Sequence, residues 1–185
     1  MATNVQFITT VFLKNNTSIN ANVDDSLLSP FILKAQKKYL MDLIGSNFYN
    51  HLCNTYEDGS ITQTDYDFIV DYVQDMVAEW THYLAYPHIA VKTNNKGAVE
   101  EYSTYSNSAD MAKMKIARNE IMDMAQFYSQ RIVNHLRLNP ELYPAWSSPT
   151  TTEELPKGSR GYSNNVYIPR RKGGRGYCDD GSQYR

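Results

Sequence analysis

Apolar positions recur with helical period along most of the chain's first 146 residues. The clearest run is 64–87, TDYDFIVDYVQDMVAEWTHYLAYP, where Ile69, Tyr72, Val73, Met76, Trp80, Tyr83 and Leu84 follow at steps of three and four and define one apolar face. Thr64 with Asp67 three residues on has the form of a capping box, and Asp65 and Asp67 suit the positive end of a helix dipole. Pro87 predicts the stop, because its ring disfavours an α conformation at Tyr86. A helix over about 25–44 is expected upstream, with Phe31, Ile32, Ala35, Tyr39, Leu40 and Leu43 inward. Its start is set by Ser29-Pro30 or by Asp24 or Asp25, and Gly45 suits its C′ position. A shorter helix over about 46–56 places Phe48, Tyr49 and Leu52 inward, before a turn at Glu57-Asp58-Gly59-Ser60.

The longest periodic stretch, about 108–138, has Asn107 or Ser108 as cap. Its stripe is Met114, Ala117, Ile121, Met124, Tyr128, Ile132 and Leu136, and Pro140 ends it. At about 1.5 Å per residue such a helix spans roughly 45 Å, more than a compact domain of this size needs. Leu142, Tyr143, Pro144, Ala145 and Trp146 then read as an aromatic plug folding back on the helices.

Two stretches break the helical period. Val5–Leu13 is rich in β-branched and aromatic residues and reads as a short strand or an opening helical turn, with a polar connector at 15–22. After Pro87, HIAVKTNNKGAVEEYS holds two short alternating runs around Asn94-Asn95-Lys96-Gly97, a hairpin signal whose tip residues Asn95 and Lys96 are candidate contacts. One hairpin is marginal alone and needs the body or another subunit to lie on.

The expected fold is therefore mainly α. An N-terminal segment (1–23) precedes a small bundle of about four helices (24–146), which carries a β-hairpin-like insertion at 88–103, and an extended arm (147–185) follows. Six of the nine glycines and three of the seven prolines lie in that arm, which cannot build a core. Tyr162, Tyr167, Tyr177 and Tyr184 are spaced among its basic residues, the pattern of a segment that orders on a partner.

Charge sharpens this picture. The net charge of −2 combines an arm of seven basic and four acidic residues with a body at −5. Asp67, Asp71, Asp75 and Glu79 follow at steps of four, with no Lys or Arg between Asp65 and Tyr86, and form one acidic ridge. Like charges at that spacing repel by about 0.2–0.5 kcal/mol per pair. The ridge is either a solvated face or a surface that meets a basic one. Lys34, Lys37 and Lys38 form the first basic patch available to it, itself open to the same solvated reading. A carboxylate metal site is disfavoured, since such clusters gather ligands from several elements and include His.

Nothing in the motifs marks an enzyme, a cofactor or a metal site. His51, His82, His88 and His135 lack metal-ligand spacing, and no nucleophile elbow, phosphate loop or dinucleotide fingerprint is present. Cys53 and Cys178 make no disulfide framework, no signal peptide opens the chain and no apolar run reaches membrane-spanning length. The reading is a cytosolic type of chain with no membrane partner. Arg170, Arg171, Lys172 and Arg175, among glycines and tyrosines, leave open an alternative as a nucleic-acid-binding packaging or regulatory protein.

Between Leu27 and Trp146 the chain resembles the head–tail connector proteins of tailed phages, in particular the neck ring proteins of crAss-like phages. The resemblance is carried by DDSLLSPFILKAQKKYLMDLIG, NFYNHLCNTYEDGSIT and the helix ending at Tyr86-Pro87. It continues through Asn95-Lys96-Gly97-Ala98-Val99 with Tyr102-Ser103, Arg118-Asn119-Glu120, Ala125-Gln126-Phe127-Tyr128 and Tyr143-Pro144-Ala145-Trp146. The arm has no counterpart in it. The resemblance implies a helical domain with a hairpin insertion, assembled as a ring, commonly of twelve copies, in the virion neck between the portal protein and the tail. It implies no catalytic residues, and contact with channel DNA only of a non-specific kind.

Overall fold

In a computed structural model the described residues are 5–90, 92–94, 97–99 and 111–147. They are mainly helical: α1 (Thr10–Asn16), α2 (Asp25–Ala35), a π-helical turn (Gln36–Leu40), α3 (Met41–Ile44), α4 (Ser46–Glu57) and α5 (Gln63–Phe68) come first. A second π-turn (Ile69–Val73) leads into α6 (Gln74–Ala90), and α7 (Met111–Leu138), a 3₁₀ turn (Pro140–Leu142) and α8 (Pro144–Ser147) complete the body. The α5–α6 rod lies at the centre, with α7 along one flank and α1 and α2 along the other. Ile69, Val73, Met76, Val77, Ala78, Trp80 and Ala85 are all buried, so the rod is enclosed over a wider arc than one apolar face.

Local chemistry shifts several boundaries. Asp24, not Ser29, caps α2 by accepting from Ser26 N–H (2.8 Å), and Pro30 falls inside the helix. α5 begins at Thr62 rather than Thr64: Asp65 N–H donates to Thr62 Oγ1 (3.2 Å), which donates to Asp65 Oδ2 (2.9 Å). Asp65 Oδ2 also lies 3.3 Å from His51 Nε2 on α4, and that tertiary contact selects the earlier cap. Pro87 does not end α6, which runs on to Ala90. An interior proline costs about 3 kcal/mol. Packing beyond it offsets the loss, with His88 at 4.9 Å from the Phe31 ring and Ile89 against the core. The 25–44 helix ends at Gly45 as expected, where φ is +84°, a conformation that favours glycine.

Val5–Leu13 forms no strand among the described residues, because Thr9 caps α1 by accepting from Phe12 N–H (3.1 Å). The segment before it enters the same core through Phe7 and Ile8, and Leu13 of α1 and Ile19 beyond it are buried there too. Its backbone is held by side chains. Gln36, fully buried, accepts from Phe7 N–H (3.0 Å) and donates to Val5 C=O (2.9 Å), while Gln74 donates to Phe7 C=O (3.0 Å). Two glutamines thus take the place of a neighbouring strand.

The plug is present. Tyr143 and Trp146 are buried, and Phe48, Phe68, Tyr72, His135 and Tyr143 form one aromatic cluster, with Tyr72 and His135 stacked at 4.2 Å. Leu142 is half exposed and takes no part in the core. Lys92–Asn94 (β1) and Gly97–Val99 (β2) pair antiparallel, Lys92 opposite Val99. Three residues a side do not establish the expected 88–103 insertion: residues 88–90 remain helical, while 91, 95–96 and 100–103 lie outside the described residues.

Candidate interaction surfaces

The acidic row does not stay on one face. Asp67 and Asp71 are exposed, Asp75 is half-buried, and Glu79 turns inward until its Oε2 lies 3.8 Å from His82 Nδ1. His82 is buried, its Nε2 3.3 Å from Ser18 Oγ of the N-terminal segment. Two physical causes split the row: its slow precession, and the wider π-turn at Ile69–Val73, which changes the angular step in the middle of it. Burial raises the Asp75 carboxyl above its ordinary range. The Arg131 charge on α7 opposes that shift, while Glu79 and Asp71 add to it. Burial also lowers the His135 imidazole, against the pull of Asp71. Tyr143, 2.9 Å from His135 Nε2, is pushed up to about 12, first by burial and then by Asp65.

Lys34, Lys37 and Lys38 are exposed. Lys34 Nζ sits 4.9 Å from the Phe31 ring centroid and Lys38 Nζ 5.1 Å from that of Tyr39. With Leu33 and Leu84 they border a shallow groove of about 530 Å³. Leu84 is thirteen residues beyond Asp71 and nine beyond Asp75 on the rod, which separates patch from ridge by about 14–20 Å along its axis. Among the described residues no ion pair joins the two. Asn95, Lys96, Arg170, Arg171, Lys172 and Arg175 lie outside the described residues.

Sequence reasoning missed the α6–α7 flank. Trp80 stacks on Tyr39 (3.7 Å, 11°) and donates through Nε1 to Ser129 Oγ (2.9 Å). Above this pair lies a cleft of about 480 Å³, walled by Asp42, Gln126, Gln130 and Val133. Further along, Tyr83, Tyr86, Met114 and Arg118 border a second cleft of about 630 Å³, where the Arg118 guanidinium covers the Tyr83 ring at 4.3 Å and its Nε is buried without a hydrogen-bond partner. The expected α7 stripe is also displaced. Ala125, Ile132, Val133 and Leu136 are buried and Met122 packs on the core, whereas Met124 faces out. Of adjacent Phe127 and Tyr128, Tyr128 packs against the core and Phe127 is exposed.

The remaining chemistry is sparse. Cys53 is buried, and burial raises its thiol. Among the described residues, no group of three or more His, Cys, Asp or Glu is placed to hold a metal ion, and no helix is long and apolar enough to cross a membrane.

Residues 31–154 match a family of unknown function, DUF6712. The match covers about two thirds of the chain, and the chain belongs to that family. It begins inside α2 and ends just beyond α8, leaving both the N-terminal segment and most of the arm outside. No curated protein and no solved structure matches the chain significantly.

Proposed function

We propose that this family member is a structural subunit of a tailed-phage neck, a head–tail connector that forms a closed ring between portal and tail and continues the DNA channel. The observation that carries the reading is the placement of two surfaces of opposite charge, the acidic row on the α5–α6 rod and the lysines on α2 and its π-turn. They lie about 14–20 Å apart along the rod, and among the described residues no ion pair joins them. In a closed ring every contact is heterologous, so Asp67, Asp71 and Asp75 of one subunit meet Lys34, Lys37 and Lys38 of the next. The short β1–β2 pair, too small to be stable alone, extends onto a neighbouring subunit. The role is assembly in the virion, without catalysis.

Electron microscopy of the full-length protein, alone and mixed with its portal, tests this. Rings in either sample, coaxial with the portal in the mixture, are expected. The triple variant Asp67→Asn, Asp71→Asn, Asp75→Asn should abolish them. Absence of rings from both wild-type samples would overturn the connector, and rings from the triple variant would overturn the ridge contact.

A further inference from the structure

Among the described residues, the outer face of α7 has no packing partner, and it has an internal symmetry. Ile116, Phe127 and Leu138 are 59%, 58% and 78% exposed, high values for residues of this size. They lie on one stripe with Glu120, Asp123, Arg131 and Asn134. Each of these four polar residues is exposed as well. The steps along the stripe are 4, 3, 4, 4, 3, 4. Their mean is about 3.67 residues, that of an 11-residue repeat, so the stripe runs nearly straight along the helix instead of winding around it.

The order of steps reads the same in both directions, and so does the chemistry. Turned end for end about Phe127, the stripe places Ile116 against Leu138, Glu120 against Asn134 and Asp123 against Arg131. Apolar meets apolar at the ends, acid meets base at Asp123–Arg131, and the Glu120 carboxylate meets the Asn134 amide, which can donate to it, with Phe127 facing its own copy at the centre. A surface complementary to itself under a two-fold rotation is what an isologous contact requires. We infer that two copies of this chain associate through antiparallel α7 helices, with Phe127 on the two-fold axis and an Asp123–Arg131 ion pair on either side of it. Arg131 is exposed, and its guanidinium lies 5.3 Å from the Tyr72 ring and 5.8 Å from that of Tyr128, within electrostatic reach of Asp75. The pairing does not rest on the ring reading. The lysine patch lies on α2 and its π-turn, away from α7, and Asp67 and Asp71 of the acidic row are exposed on the α5–α6 rod.

Sedimentation equilibrium of the full-length protein tests it by charge reversal. Wild type is expected to dimerise, and D123R or R131D alone, each placing like charges together on both sides of Phe127, should raise the dissociation constant at least about tenfold. The double variant D123R/R131D restores complementarity and should return most of the affinity. Circular dichroism identifies variants that fail to fold. An independent arm uses Phe127→Cys in a Cys178→Ser background, where oxidation should give a covalent dimer, because only a two-fold contact brings identical residues together. A monomeric wild type would overturn the inference, whether the face is bare or covered by residues 148–185. So would association indifferent to the single reversals, or the absence of a 127–127 cross-link.

Discussion

On the flank of the α5–α6 rod that faces α1 and α2, buried polar groups are matched across long sequence separations. Gln36 and Gln74 serve the backbone of Phe7, and Ser18 serves His82. On the flank that faces α7, contact is just as extensive but its polar chemistry is left incomplete. Arg118 Nε is buried without a partner, Asp75 is half-buried beside two other acids, and two clefts lie between the helices. The difference separates what makes the fold unique from what remains available to a partner. Satisfied buried amides specify one arrangement, since any shift of the N-terminal segment orphans several groups together. Polar groups at a half-open flank cost less and leave room for association.

The strongest way to break the comparison is to empty the closed flank. Phe7 is 2% exposed and meets Tyr49 and Tyr56 edge to face at 6.2 and 5.8 Å. Phe7→Ala should destabilise the protein by about 3–5 kcal/mol in urea unfolding. A loss under about 1 kcal/mol would mean that a segment outside the family match merely rests on the body, and the closed flank would not be closed.

Gln36→Leu sharpens the same point without removing volume. It leaves the buried Phe7 N–H and the half-buried Val5 C=O without their Gln36 partner, an expected cost of about 1–3 kcal/mol by the same measurement. An unchanged urea midpoint would show that water reaches these groups.

These two residues mark the limit of what sequence could convey. Element type was legible wherever an apolar period ran long, as in the central rod, α4, α7 and the Tyr143–Trp146 plug. Local signals misplaced the edges because distant contacts outvoted them: His51 drew the α5 cap back to Thr62, and Phe31 and the core carried α6 past Pro87. The Gln36 contacts join residues 29 and 31 positions apart and leave no periodic trace. Of the candidate surfaces, the lysine patch was placed correctly as exposed, whereas the acidic row was read as one ridge because an even 3.6-residue period was assumed through a π-turn. Met124 sat at the edge of the α7 stripe, where a single helical step separates inside from out.

The smallest expected effect is the most diagnostic for the open flank, because its sign reverses the usual one. The Asp75 pKa is raised in the folded state, so between its ordinary value of 3.8 and the raised value the native protein binds more protons than the unfolded chain. The contribution of this group to stability is therefore fully present below pH 3.8 and lost as pH rises through the folded pKa, which makes the ionised carboxylate a liability at neutral pH. Asp75→Asn should stabilise the isolated protein at pH 7, with the gain shrinking to nothing below pH 3.8, as read from paired urea titrations across that range. His135 runs oppositely and is common to both proteins: its lowered pKa gives stability that is present above pH 6.5 and fades as pH falls, so it cancels in the difference. A destabilised Asp75→Asn at pH 7 would mean that Arg131 already compensates the carboxylate within one chain, and Arg131 would then not be free to serve a second copy. A stabilised variant would instead identify a charge held at a cost to the fold, which is the expected mark of a residue retained for a contact beyond its own chain.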